Sequence, residues 1–445
     1  MARTASIRAL DAEIARLGIP ALGALVAEPL YVLADTAVVG NLLGTNELAG
    51  LSVAGQTLLS AHAIMVFLAY GTTAAVSRLL GAGETKRAAH QAVQGLWIAI
   101  SLGVVLALIM WQVADPLLRL LGETDDGNAE AVLAQASRYF VVSLWGFPAM
   151  LIVLSGVGYL RGLQDTTRPL IVAVVTAVFN LVFELILIVG FDLEIGASAF
   201  ATVVAQWLAA FAYLGWIGRA VLAEGVRLIP DLHEIGRLLR VGANLFIRTV
   251  SLRASFAVTV AAASRISTEA LAAHEIALQL LFFTALALDS VAIAGQSMMG
   301  RFLGANDVEG ARVAANRVLY WGVVVGVVAM VIFGAGAPFL PHIFTGDEAV
   351  ISLAVVAMIH LALMQPLNGV VFALDGILIG AGDMNFLARA MAVAALVFIP
   401  LALWVPASGL GLGWLWATIW VLMIVRGGPL LWRLKSERWV VTGAQ

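Results

Sequence analysis

The chain has 445 residues, 62% of them hydrophobic and 12% charged, with a formal net charge of −3 and a mean hydropathy of +0.98. Soluble domains carry about 25% charged residues, so this much apolar surface cannot be hidden inside a water-soluble globule, and lipid is expected to be the solvent for much of it. The absence of cysteine excludes disulfides, thiolate metal sites and cysteine nucleophiles, and the charges punctuate apolar stretches rather than forming a basic face for nucleic acid.

About 20 mostly apolar residues cross a bilayer as a helix. Cutting at the polar and glycine-rich breaks predicts twelve spans: 12–42, 47–73, 88–113, 134–159, 168–190, 196–219, 235–262, 269–298, 312–337, 350–374, 385–405 and 409–432. Arg3 and Arg8 precede the first span, but that stretch runs on through Glu28 and Asp35 and exceeds the apolar core of a signal peptide, so it reads as a retained helix. The bundle is oriented by positive charge. With the N-terminus inside, Arg119, Arg138 and Arg265 are the outer exceptions and Arg248 and Arg253 lie within a span, while the rest of the 25 Lys and Arg fall in cytoplasmic segments. Both termini are therefore expected in the cytoplasm of an inner (plasma) membrane, with a loop near residue 125 outside and one near residue 230 inside.

The first polar span carries Asp35 among Ala34, Thr36, Ala37 and Val38, with Glu28 seven residues earlier on the same face. Ionisable groups at this depth are costly, which makes each a functional candidate. The second span carries Gln56. The fifth carries Asn180 and Glu184 at i, i+4, and the sixth Ser198, Thr202 and Gln206 on the same spacing. If these faces turn toward Asp35, the first half encloses two carboxylates, an amide and hydroxyls, an oxygen-rich set suited to a hard cation or a shared proton. Ser198 by itself is more often a packing residue.

In the seventh span Arg248 and Arg253 are five apart and do not share a face, and at least one is expected to pair with Asp289 or Asp375. The eighth reads as one stripe of Glu275, Gln279, Asp289 and Gln296, and the tenth as another of Gln365, Asn368, Phe372 and Asp375. His274-Glu275-Ile276-Ala277-Leu278 fails the zinc-protease pattern at its fifth position, and neither a Gly-x-Ser-x-Gly elbow nor a phosphate-binding Gly-Lys-Ser/Thr loop occurs. An enzyme is not expected, and any uphill transport would draw on an ion gradient.

The chain also repeats itself. Ser77-Arg-Leu-Leu-Gly-Ala-Gly-Glu returns as Gly300-Arg-Phe-Leu-Gly-Ala-Asn-Asp, aligning Arg78 with Arg301 at an offset of 223 that also pairs Gln56 with Gln279. Pro148 with Pro366 and Gly162-x-x-Asp165 with Gly380-x-x-Asp383 keep an offset of 218. Duplicated helical halves of this kind belong to secondary transporters, and an even number of spans per half predicts parallel repeats. The halves are expected as an N-lobe over 1–220 and a C-lobe over 221–445, joined by a cytoplasmic linker near 220–234.

Pro20 through Asp35-Thr-Ala-Val-Val-Gly40, Ala272-Ala-His-Glu-Ile-Ala-Leu-Gln279, Leu288-Asp289 with Gln296, and Leu374-Asp375 through Asp383 together resemble the multidrug and toxic compound extrusion (MATE) family, in its DinF-like branch. The resemblance covers nearly the whole chain. It implies an all-α membrane protein of twelve helices in two pseudo-symmetric six-helix lobes, exporting cationic or amphipathic organic compounds in exchange for H⁺ or Na⁺. It places cation coupling on Asp35, Asn180, Glu184 and Thr202, with Na⁺ a possible ligand of the first three, and marks Pro20 as a bending point of the first helix. The sequence departs at Glu184, where archaeal relatives carry Asp. Arg248 and Arg253 stand in the seventh span, where the NorM branch relies on an acidic residue, so that branch's C-lobe cation site is not carried over. Glu28, Gln56, Gln206, Arg248, Glu275, Gln279, Asp289, Gln296, Asn368 and Asp375 are candidates for lining the cavity. The expected partners are a small-molecule substrate and membrane lipid, with no cofactor beyond the coupling ion, no nucleic acid, and a monomeric chain. The alternative reading is a flippase for lipids or lipid-linked precursors, which would favour a strongly basic cavity.

Overall fold

The computed structural model describes residues 2–122, 129–191 and 193–443, so the loop expected near residue 125 lies outside the described residues. The described chain is helical, in the order α1 (Ala2–Leu42), α2 (Thr45–Met65), α3 (Phe67–Gly81), α4 (Thr85–Gln112), α5 (Ala114–Gly122), α6 (Ala129–Ser143), α7 (Phe147–Gly162), α8 (Thr167–Leu185), α9 (Ile195–Glu224), α10 (Leu232–Ile266), α11 (Thr268–Gly304), α12 (Val308–Gly336), α13 (Pro341–Phe344), α14 (Glu348–Gly380), α15 (Met384–Ala407) and α16 (Leu412–Lys435). Twelve candidate membrane spans result, because α2 and α3 run together over Thr45–Gly81 and α6 and α7 over Ala129–Gly162. All twelve expected spans are present. Long helices are the form an apolar chain takes in lipid, where every backbone N–H and C=O must find its partner within the segment.

The chain folds as two compact units, Gly23–Leu239 and Met1–Leu22 with Arg240–Gln445. The boundary expected at 220 thus lies later in the contacts, and the start of α1 groups with the second unit. Two sets of polar contacts account for this. Residues 228–231 are fastened to α4: the Trp97 indole N–H donates to Leu228 O at 2.9 Å, Gln94 Nε2 donates to Ile229 O at 3.2 Å, and Gln94 Oε1 accepts from Asp231 N at 2.8 Å. At the other end, Asp11 accepts from Arg317 at 2.7 Å and from the Trp321 indole at 2.9 Å, and Glu13 accepts from Arg301 at 2.6 Å. Pro20 lies inside α1, three residues before the first unit begins.

The internal repeat is written into the backbone of both units. Ala82, Gly83 and Glu84 donate their N–H groups to Arg78, Leu80 and Leu79, and the residues 223 positions later, Ala305, Asn306 and Asp307, donate to Arg301, Leu303 and Phe302. Gly83 and Asn306 both take the left-handed conformation, with φ 74° and 59°. At the 218 offset, Leu163, Gln164 and Asp165 close the end of α7 as Ala381, Gly382 and Asp383 close the end of α14, with Gln164 and Gly382 left-handed at φ 64° and 81°.

Helix packing repeats with the loops. A Cβ on Gly103 of α4 would stand 2.6 Å from Pro148 Cα of α7, and one on Gly326 of α12 would stand 2.9 Å from Pro366 Cα of α14. Glycine lets the backbones approach where no side chain fits. The prolines themselves are accommodated differently: α6 passes through a 3-10 turn at Leu144–Gly146 before Pro148, whereas α14 continues through Pro366. Small residues dominate the second unit's core, where Ala270, Ala273 and Ala277 of α11 pack with Ala354, Ala357 and Leu361 of α14, around the wholly buried Trp416. In the first unit, Val39, Leu51 and Ala54 pack against Ala136, Tyr139 and Phe140.

Candidate functional site

Within the unit Gly23–Leu239, α1, α8 and α9 bring one polar face each to a common point. The i, i+4 spacings on α8 and α9 set those faces, because residues four apart stack one turn above the other. Ser198 Oγ donates to Asp35 Oδ1 at 2.8 Å. One turn along α9, Thr202 Oγ1 accepts from Asn180 Nδ2 at 3.1 Å, lies 2.7 Å from the Tyr31 hydroxyl, and donates back to Ser198 O at 3.1 Å. Glu184 completes the cluster, with the Asp35 carboxyl and the Ser198 hydroxyl as its polar neighbours, although neither of its oxygens has a hydrogen bond of ordinary geometry among the described residues. Asp35, Asn180, Glu184 and Ser198 are all buried, Glu184 and Ser198 completely. Asn180 Oδ1 is buried and unpartnered among the described residues. Two acids, an amide carbonyl without a protein partner among the described residues and a threonine hydroxyl thus share one largely buried place.

The cluster forms part of the wall of a cavity of about 540 Å³ within the same unit. Glu28, Asp35, Gln56, Asn180, Thr202 and Gln206, all expected from the sequence, line it. The remaining wall is largely apolar, with Leu25, Val66, Met150, Val153, Val157 and Ala173 among its residues. Polar lining residues that the sequence reading missed include Tyr31, His62, Tyr70, Tyr139, Arg161 and Tyr213. Of these, Tyr31 was detectable, because it lies one turn before Asp35 on the same face of α1. Arg161 lies in the last turn of α7, at the end of its span as expected, and is buried there.

The polar residues of the second unit form a different kind of cluster. Arg248 Nη2 of α10 meets Asp375 Oδ2 of α14 at 2.6 Å, which is the pairing expected between the seventh span and one of two acids. Arg426 of α16 donates to the same oxygen. Counted in the sequence as a cytoplasmic charge, Arg426 is in fact buried to 2% exposure, with Phe372 stacked 5.8 Å from its guanidinium and Asp289 within electrostatic reach. Asn368 donates to Gln365 at 3.4 Å in the buried stretch of α14 just before Asp375. The expected stripe on α11 does not gather into one site: Gln279 is exposed, Glu275 and Asp289 are half-buried, and Gln296 is buried. Spread over 21 residues, these four positions span about 30 Å at 1.5 Å rise per residue. His274, one residue before the stripe, is wholly buried, lies 2.9 Å from Thr259 Oγ1 and meets Trp416 edge-on. Arg253 is exposed on α10.

Comparison with known proteins places this architecture. The family model MatE matches residues 20–186 and 245–404. The chain is 30% identical to Protein DETOXIFICATION 44, chloroplastic, of Arabidopsis thaliana, over 96% of this chain and 82% of that protein. It is 27% identical to DNA damage-inducible protein F of Escherichia coli (strain K12), over 95% and 92%, and 24% identical to Multidrug resistance protein NorM of Aliivibrio fischeri, over 83% and 81%. Among solved structures, it matches a MATE protein in the straight conformation with a TM-score of 0.85 at 22% identity, over 95% of this chain and 96% of that one. A MATE protein in the bent conformation matches with a TM-score of 0.85 at 21% identity, over 97% and 98%. At these identities the structural likeness establishes the fold. The family match covers most of the chain, which belongs to the MatE family of multi-pass membrane transporters.

Proposed function

We propose that this protein is a secondary antiporter that exports cationic or amphipathic organic compounds across an inner (plasma) membrane, with both termini cytoplasmic, in exchange for H⁺ or Na⁺ bound at Asp35, Glu184, Asn180 and Thr202. One observation supports this reading above the others: two carboxyl groups are buried side by side, Asp35 in the wall of a largely apolar cavity and Glu184 against it. In a medium that screens poorly, adjoining carboxylates repel strongly if both are charged. One bound cation removes that repulsion. A proton needs only the two acids, while Na⁺ would also draw on the unpartnered Asn180 carbonyl and the Thr202 oxygen, which fit a hard cation's preference for oxygen.

Coupling follows from where the acid sits. Asp35 is held to α9 through Ser198, and α1 also carries Tyr31 and Glu28 into the cavity. Neutralising Asp35 therefore changes what holds α1 against α8 and α9. Pro20 gives that helix a place to bend, because it supplies no N–H to the helical ladder. An ion and a substrate that favour different positions of one helix exclude one another, and their coupling is reciprocal. The test is flux of a fluorescent organic cation through the purified protein in liposomes, with H⁺ and Na⁺ gradients imposed separately. Uptake or release driven by one gradient supports the reading, and indifference to both refutes it.

A further inference from the structure

Glu28 lies seven residues before Asp35 on the same face of α1 and opens into the same cavity, yet its surroundings differ. Asp35 is buried and bonded to Ser198, while the Glu28 side chain is 52% exposed. Facing it from α2, His62 Nε2 stands 3.8 Å from Glu28 Oε1. That separation is too long for a hydrogen bond, so a neutral imidazole leaves the carboxylate's acceptor sites open to the cavity. The other charged groups on the lining are Asp35 of α1 and Arg161 of α7, which lies near Tyr213. Tyr70 of α3, Tyr139 of α6 and Tyr213 of α9 add phenols, Tyr31 is engaged with Thr202, and α8 contributes only neutral groups such as Thr176 and Asn180. Glu28 is thus the one acid of the lining that stands open and is not committed to the Asp35 cluster.

We propose that Glu28 and His62 form a substrate subsite for the positively charged head of an amphipathic organic cation, at which the cation and a proton on His62 compete for one carboxylate. The inference rests on the export reading for its cargo and adds to it a recognition site separate from the coupling acids. An ammonium or aromatic cation that reaches Glu28 gains a charge-assisted contact in a weakly screened space, while its apolar body lies against Val153, Val157 and Ala173. Imidazole is the side chain whose charge changes in the physiological range. Once charged, His62 is already in place as the counter-ion of Glu28, and an incoming cation must displace it. Acid therefore weakens cation binding at this subsite whatever the state of Asp35 and Glu184, so one more proton is exchanged for cargo at the cargo's own site.

Equilibrium binding of ethidium to the purified full-length protein, followed by fluorescence at about pH 5.5 and about pH 8, tests this. Wild type is expected to bind more weakly at the lower pH. Glu28→Gln should weaken binding about tenfold at the higher pH, as expected for loss of a half-exposed charge contact, with Glu28→Asp retaining most of it. His62→Gln should lose part of the acid weakening, and Asp35→Asn, which leaves His62 in place, should keep the part that His62 carries. Thermal unfolding of each variant confirms that it is folded. Ethidium binding by Glu28→Gln equal to wild type, an undiminished pH dependence in His62→Gln, or no ethidium binding by wild type would overturn the proposal. The expected binding pattern without gradient-driven flux in liposomes would instead refute the antiport reading and leave the subsite standing.

Discussion

The Ser198 hydroxyl donates to Asp35 Oδ1 over 2.8 Å, with both residues buried, and so ties α9 to the last turns of α1, which also lines the cavity. Removing that hydroxyl by Ser198→Ala leaves the buried Asp35 carboxyl short of a donor. A lost buried hydrogen bond costs about 1–3 kcal/mol. The variant should unfold at a lower temperature and transport more slowly while remaining coupled. Unchanged melting and flux would mean that Ser198 only packs.

In the second unit, Arg248 and Arg426 both bond to Asp375. Asp375→Ala leaves two guanidiniums facing each other at membrane depth with no carboxylate between them. Removing one partner of a buried ion pair costs about 3–5 kcal/mol. Thermal unfolding in detergent should show a large loss. Replacing all three residues by apolar ones of similar size, Arg248→Met, Asp375→Leu and Arg426→Met, should recover most of it. A melting temperature unaffected by Asp375→Ala would show that the cluster is hydrated rather than buried.

Gly376 of α14 faces the backbone of Ala292 on α11, as Gly158 of α7 faces that of Ala69 on α3. Alanine at either place drives a methyl group into a carbonyl oxygen that belongs to a helix backbone and cannot step aside. Overpacking of this kind costs about 1–3 kcal/mol. Gly158→Ala and Gly376→Ala should each lower thermal stability, whereas Gly428→Ala, with open space around it, should not. Equal effects at all three positions would contradict the close approach.

Asp231 caps the start of α10 from the linker, accepting from the His233 and Glu234 N–H groups at 3.0 and 3.3 Å, and it faces His90 at 3.7 Å. The Glu234 N–H first, then the His233 N–H and the nearby His90, hold its carboxyl below the usual range. A lowered value in the folded state stabilises the cap above the unfolded carboxyl's value, and that contribution is lost as pH falls through the folded value. Hydrogen exchange of the amides of 226–236 should therefore be flat from neutral pH down to about pH 5 and speed up relative to intrinsic rates only below about pH 4, and Asp231→Asn should show no such step. An acid step that survives in Asp231→Asn would place it elsewhere.

The duplicated fold was legible because its landmarks are local. Arg78 with Arg301 and Asp165 with Asp383 mark loops whose hydrogen bonds and left-handed residues coincide pair by pair. Asp35, Asn180, Glu184 and Thr202 were readable for a similar reason, since helical spacing alone puts polar groups on one face, and a polar face in an apolar span must turn inward. The misreadings came from long-range packing. Arg426 looked like a charge near a helix end, and only the approach of α14 shows that Asp375 draws it into the core. The α11 stripe failed because a seven-residue repeat on a straight helix drifts by about 20° each time. Gln279 and Gln296 accordingly face different surroundings.

Substituting Asp35 by Asn keeps a carbonyl oxygen to accept from Ser198 and removes the charge, so fold and coupling can be separated in one protein. The decisive measurement is gradient-driven flux of a fluorescent cation in liposomes containing wild type or Asp35→Asn, at matched incorporation and with melting temperatures recorded. The account predicts that wild type accumulates or releases the cation in response to an imposed H⁺ or Na⁺ gradient, while Asp35→Asn melts near wild type and responds to neither. Wild-type flux and an unchanged ion dependence in Asp35→Asn would contradict it.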